Sequence, residues 1–202
     1  MNLPDHLGGH KNRTHLDSGV LTHMKNRYEV KTMLDVGCGP GGMVNLAREL
    51  GIEAYGIDGD YTVPRSGNYF TIHDYTTGIS TVTKNFDLAW SCEFVEHVDE
   101  KYIKNYMPDF QRAKYVVMTF SEKGGHHHVN VKPAEYWIDV FSDYGFEFDM
   151  YETGIIRDVS TMNTTGKFTK KQFVKTNGLF FRSKQILDGP NILQSGLPLS
   201  ST

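Results

Sequence analysis

Apolar residues along this chain fall into short runs of up to four, separated by segments in which they recur at helical spacing. The first thirty residues are polar and His-rich, with one predicted helix from Asp17 to about Arg27. Asp17 or Ser18 can cap it, and Val20, Leu21 and Met24 share a face, so a lid or entry helix is expected. Thr32 to Val36 then reads as a buried strand, followed by a Gly-rich turn. A helix follows from Gly41 to Leu50, with Met43, Leu46, Ala47 and Leu50 on one side and Gly51 as its stop. Further strands are predicted at Glu53 to Ile57, at Tyr69 to Ile72 after a loop marked by Pro64 and Gly67, and at Phe86 to Ser91.

Asp99 to Tyr106 has a helical pattern that Pro108 should end or kink. Lys114 to Phe120 is apolar on both faces, as strands of a parallel sheet are. Pro133 opens a helix whose apolar set is Tyr136, Trp137, Val140, Phe141 and Tyr144, with Gly145 as terminator. Phe146 to Tyr151 is expected to be extended. After a polar, Thr- and Lys-rich loop over 158 to 171, Phe173 to Arg182 reads as a last strand, with Asn177 and Gly178 inviting a bulge or tight turn. Alternating strands and helices followed by strand-rich sequence imply an α/β sheet with one antiparallel edge.

A length of 202 residues fits one domain. Within it we expect an N-terminal lid or substrate segment over 1 to 29, a core over 30 to 185 and a tail over 186 to 202. No repeat of solenoid length is present. Hydrophobic residues make up 39%, enough for a sizeable core, and no run approaches the ~20 apolar residues of a membrane span. The formal charge of −3 argues against a reader of duplex DNA. The two cysteines, Cys38 and Cys92, exclude a disulfide scaffold or thiolate zinc cluster and suit a reducing compartment, hence an expected cytoplasmic location. No secretory signal is visible between Met1 and Gly9.

The stretch Leu34-Asp35-Val36-Gly37-Cys38-Gly39-Pro40-Gly41-Gly42 lies where the first strand hands over to a helix. Glycines there let the backbone come close to a ligand. Gly37, Gly39 and Gly42 also fit the dinucleotide spacing, so the loop alone does not separate a nicotinamide enzyme from other nucleoside binders. Asp58 ends the second strand, 19 residues beyond Gly39, where a carboxylate can accept from both ribose hydroxyls. His73-Asp74-Tyr75 follows the third strand. Asp74 can accept from an adenine amino group, and Tyr75 or Ile72 can pack on the ring.

Residues 33 to 98 resemble the class I S-adenosylmethionine-dependent methyltransferases, and the likeness extends over roughly 30 to 185. Asp35 to Gly41 resembles their first motif, Gly56-Ile57-Asp58 the acid of the second strand, His73-Asp74 the adenine-contacting position and Phe86 to Ser91 the fourth strand. Phe173 to Arg182 resembles the final antiparallel strand. The resemblance implies a Rossmann-like seven-stranded sheet of order 3-2-1-4-5-7-6 with strand 7 antiparallel and helices on both faces. It implies S-adenosylmethionine as cofactor, with Asp35 orienting the methionine moiety beside Gly37 and Gly39. Cys38, Gly41, Asp58, Gly59, His73, Asp74, Tyr75, Ser91 and Glu93 complete the expected cofactor-binding set. Asp35 is the main discriminator against a dehydrogenase.

In Cys92-Glu93-Phe94-Val95-Glu96-His97-Val98, a helical turn would put Glu93, Glu96 and His97 on one face. They can bind a divalent cation or simply hold the loop. His126, His127 and His128 follow the fifth strand, between Gly124-Gly125 and the helix begun by Pro133, and the same sheet edge should bring them near His97. Glu93, Glu96, His97 and a later His resemble the metal sites of small-RNA terminal 2′-O-methyltransferases and ubiquinone-pathway O-methyltransferases, with a modest preference for His128. A cation there lowers the pKa of an acceptor hydroxyl. Without one, His97, His126, His127 and His128 are the general-base candidates.

The acceptor pocket is expected under the N-terminal segment, the loop 121 to 131 and an insertion over 153 to 171. These and the helix after them offer Asn12, Arg13, His15, Tyr136, Trp137 and Arg157. Arg13 or Arg157 is a candidate phosphate contact, although lone arginines are more often solvated. Gly125 to Trp137 resembles small stand-alone bacterial and phage methyltransferases. The leading expectation is O-methylation of a small molecule, sugar or nucleoside. The alternatives are N-methylation, RNA-terminal 2′-O-methylation and a non-catalytic cofactor-binding protein. Partners are accordingly a small acceptor first and RNA second, with no duplex DNA or membrane.

Overall fold

The computed structural model describes residues 3–10, 12–164 and 171–187. Seven strands form a mixed sheet: β1 (Thr32–Val36), β2 (Glu53–Asp58), β3 (Phe70–Ile72), β4 (Phe86–Ser91), β5 (Ala113–Thr119), β6 (Phe146–Phe148) and β7 (Gly178–Ser183). Their order is β3-β2-β1-β4-β5-β7-β6, as the sequence implies. Pairs among β1 to β5 are parallel, and β7 is antiparallel to both neighbours. In the centre Leu34 lies opposite Tyr55 on β2 and Ala89 on β4.

Residues alternate between two cores, one on each face of the sheet. Leu34, Val36, Ala89, Val116, Met118 and Phe181 face one side, where Tyr106 and Phe110 of α3 (Ile103–Gln111) and Trp137 and Phe141 of α4 (Ala134–Asp143) cover them. Met33, Leu88, Trp90, Val117 and Phe180 face the other. That side is covered by α1 (Ser18–Tyr28), α2 (Gly42–Glu49), α5 (Met150–Val159) and α6 (Phe173–Asn177), through Val20, Leu21, Met24, Met43, Val44, Ala47, Ile156 and Val174. A short α7 (Lys184–Leu187) follows β7.

The first helix is capped by Asp17, whose carboxylate accepts from the Val20 amide, but it is not a lid. Its apolar face is fully buried, and Asp17 also takes the Ser160 hydroxyl and Thr161 amide, which fixes α1 to the end of α5. The segment that does cover the site is residues 5–10. Pro108 does not end α3, which continues to Gln111 because Met107 and Phe110 are anchored in the core.

Beyond Phe148 the chain is not extended: Asp149 caps α5, its carboxylate accepting from the Glu152 amide. Residues 173–177 are helical rather than strand, and β7 begins only at Gly178. Asn163–Thr164 instead pairs antiparallel with His15–Leu16 as a two-stranded ladder. Residues 165–170 of the predicted polar loop, and the tail from 188 onward, lie outside the described residues.

Candidate active site

The loops after β1 to β5 open at one edge of the sheet, where strand ends in such folds receive ligands. They enclose a cavity of ≈ 280 Å³ together with residues 5–10. Its walls include Gly37, Asp58, Gly59, His73, Asp74, Tyr75, Glu93, Phe94, His97 and His127.

The glycine loop is tied to the end of β2, with the amides of Gly37 and Cys38 both donating to the Ile57 carbonyl. Gly37 has φ +78°, and a Cβ there would come within 2.4 Å of the Phe94 ring. Asp58 accepts from the Gly39 amide at 2.8 Å and from the Asp60 amide at 2.8 Å. Arg65, which no sequence motif singles out, donates to Asp58, to the Gly39 carbonyl and to the Asp60 carbonyl. Asp74 accepts from the Thr76 amide and from His6 Nε2 at 2.9 Å. Tyr75 is buried, packs edge-on against Phe94 and donates to Asp109.

Several predicted contacts lie behind the cavity wall rather than on it. Asp35 is 3% exposed, and burial, followed by the charge of Asp58, holds its carboxyl well above the usual range. Ser91 is buried and donates to the Val36 carbonyl. The Cys38 side chain belongs to the core, and a Cβ on Gly56 would meet its sulfur at 2.7 Å. Gly39 lies under His10 and Gly41 under Phe70, whereas His73, on the wall, bonds through Nε2 with the Gly78 carbonyl.

After β4 the chain does not form one helical turn through Glu93. Glu93 has φ +57° and only Val95–His97 forms a 3₁₀ turn, so the expected common face is broken. The Glu96 carbonyl accepts from the amides of Val129 and Asn130, stapling this loop to the one after β5. As a result Glu96, His97 and His128 each offer a ligand atom, all within 4.8 Å of one another. Glu93 is outside that set, although its carboxyl stands against that of Glu96. Burial raises both acids, Glu93 to about 7 and Glu96 well above its usual value. Glu96 is 0% exposed with neither oxygen hydrogen-bonded.

Burial lowers His97 to about 4, so its imidazole is neutral at physiological pH. His128 bonds through Nδ1 with the Lys123 carbonyl, leaving Nε2 as the free ring nitrogen. His127 is on the cavity wall, while His126 approaches the strap at Gly9.

None of the six residues predicted for the acceptor side lines this cavity. Trp137 is core, Tyr136 bonds to Glu100, Arg157 donates to the Gly178 carbonyl, and the His15 ring packs on Phe173. Arg13 and Asn12 make backbone bonds to His10, shaping the strap instead. Residues 153–159 form part of α5 rather than a roof. His6, Leu7 and His10 supply the cover: His10 pairs with Asp60 at 3.0 Å, and a Cβ on Gly59 would meet Leu7 at 2.4 Å.

No family model matches the chain, and no curated protein matches it in sequence. Solved structures do resemble it. A TehB-like S-adenosylmethionine-dependent methyltransferase from Corynebacterium glutamicum aligns with TM-score 0.55 and 17% identity over 82% of this chain and 88% of that one. Magnesium protoporphyrin IX methyltransferase from Synechocystis, with bound S-adenosylhomocysteine, gives 0.55 and 15% over 81% and 80%. The methyltransferase domain of bacterial CtHen1 gives 0.52 and 17% over 81% and 94%. The fold is that of the class I S-adenosylmethionine-dependent methyltransferases.

Proposed function

We propose that this chain is an S-adenosylmethionine-dependent methyltransferase acting on a hydroxyl oxygen, assisted by a divalent cation. The observation that carries the reading is the convergence, at one cavity, of bare backbone at Gly37, the carboxylates of Asp58 and Asp74, and His97, with which the buried Glu96 and the half-buried His128 cluster. Gly37, which brings bare backbone to the cavity wall beside Phe94, and the acidic wall of Asp58, Asp74 and Glu93 suit a cationic nucleoside cofactor. Asp58 and Asp74 would hold its ribose and adenine. The cofactor supplies an electrophilic methyl group for direct displacement.

The cation fits for a separate reason. A buried carboxylate with no hydrogen-bond partner costs several kcal/mol unless it is protonated or paired with a cation. Glu96 is fully buried, faces the Glu93 carboxyl and is flanked by two imidazoles, so a cation there would take the place of its proton. Glu96 and His97, with His128, would be ligands, and Glu93 adjoins them. A cation held there supplies Lewis acidity toward an acceptor hydroxyl. His127, on the wall, is placed to take the acceptor proton, and Phe94 and the strap keep water from the site.

The test is a labelled-methyl assay on hydroxylated metabolites, nucleosides and short RNAs, with and without chelator. Chelation should abolish turnover and leave S-adenosylhomocysteine binding intact, and Glu96→Gln should behave like chelation. Turnover that survives exhaustive chelation removes the cation from the reading. Absence of S-adenosylhomocysteine binding removes the methyltransferase reading altogether.

A further inference from the structure

Arg65 sits in the irregular loop between β2 and β3, yet its side chain is only 5% exposed. Its Nε donates to the Gly39 carbonyl at 2.7 Å, Nη1 to the Asp60 carbonyl at 2.8 Å and Nη2 to Asp58 Oδ1 at 3.1 Å. One guanidinium thus joins the glycine loop, the turn after β2 and the strand-end acid. The carboxylate of Asp58 closes the circuit, taking the Gly39 amide on Oδ2 and the Asp60 amide on Oδ1. The peptide groups on both sides of the acid are therefore held by the Asp58–Arg65 pair.

A carboxylate offers about four lone-pair directions. Three donors already occupy Asp58, which leaves room for about one more from the cavity it lines. The direction of that free lone pair is set by the side-chain rotamer, which the Gly39 and Asp60 amides and one Arg65 nitrogen hold together, while the other two nitrogens of the planar guanidinium fork fix the peptide groups beside those amides. An ammonium, a point donor on a flexible stem, does not reproduce such a fork.

We propose that Arg65 is a positioning residue for the cofactor subsite, holding Asp58 so that it accepts one particular ribose hydroxyl. This inference rests on the methyltransferase reading and deepens it. It also narrows the expectation that Asp58 binds both hydroxyls.

The experiment measures binding of S-adenosylhomocysteine and its 2′-deoxy and 3′-deoxy counterparts by calorimetry, for the wild type, Arg65→Met and Arg65→Lys. In the wild type, removing one of the two hydroxyls should weaken binding about 10–100-fold, the range for a hydrogen bond to a charged group. In both variants the parent ligand should fall to the affinity of that deoxy analogue, and the deletion should cost under about 3-fold. Arg65→Lys keeps a buried charge, so the comparison survives if Arg65→Met does not fold.

If the variants bind every ligand more weakly but still discriminate by the full factor, Arg65 is only a loop staple and the inference is overturned. Unchanged affinities overturn it as well. A wild type that binds no S-adenosylhomocysteine overturns the methyltransferase reading, and this inference with it.

Discussion

Asp58 and Gly37 concentrate the demands of the site into two residues. Replacing Asp58 by Ala removes an acceptor from the cavity and leaves one Arg65 nitrogen and two backbone amides unpartnered. S-adenosylhomocysteine affinity measured by calorimetry should fall by ~1.5–3 kcal/mol. Gly37→Ala meets two obstacles at once, the left-handed backbone and the Phe94 ring. The first alone costs ~1–2 kcal/mol, so the variant should melt lower and lose ligand binding in the same calorimetric assay. Gly37, Asp58 and Asp74 were legible in the sequence because each follows a recognisable strand, and strand ends in this kind of sheet converge. Arg65 was not legible. A single arginine between Pro64 and Ser66 carries no periodic or motif signal, and its meaning comes only from contacts with residues up to 26 positions away.

At the scale of elements, the strands and α1, α2 and α4 could be read from hydrophobic period, whereas α5 could not. Its sequence opens with Met150 and Tyr151, which remain 77% and 80% exposed, and buries the polar Glu152 and Thr153. The readable signal was at its start, where Asp149 and Glu152 have capping-box spacing. Asp149 also pairs with Arg182 of β7. Asp149→Ala should therefore cost about 1–2 kcal/mol, seen as a melting temperature roughly 2–8 °C lower.

The small ladder at His15–Leu16 adds a pH dependence. Burial, then Lys171 and Arg13, lower His15 to about 4 from 6.5. The unfolded chain consequently protonates first on acidification, so the stability present above pH 6.5 declines below it and is fully lost under about pH 4. Urea denaturation across that range should show up to about 3 kcal/mol of loss attributable to this group, and His15→Gln should lack that component.

For the whole molecule, strand and helix alternation with right-handed crossovers supported the parallel part of the sheet, and its full order came from the family resemblance. The N-terminal segment was expected as a cover, but composition, polar and His-rich, did not show which of its residues would hold it down. In the fold His6 reaches Asp74, His10 reaches Asp60, and the His6 ring stands 6.2 Å from His127. One strap therefore spans the acids after β2 and β3 and one of the histidines proposed to handle the acceptor. A cation at Glu96, His97 and His128 belongs to the same scale, because it joins two loops from different strands. At a concentration 100 times its Kd it should stabilise the protein by ~2.7 kcal/mol, read as a raised melting temperature that Glu96→Gln abolishes.

The strap has a consequence for timing. A ligand enclosed under the strap would leave after both imidazole–carboxylate pairs let go, each worth up to about 1 kcal/mol. Residence time, more than affinity for the incoming ligand, is then set by the N-terminal segment. Removing residues 1–10 should speed S-adenosylhomocysteine dissociation in stopped-flow by on the order of tenfold with little change in association. If the intact chain turns over as proposed, the first turnover should outrun those that follow, a burst that the truncated chain should not show.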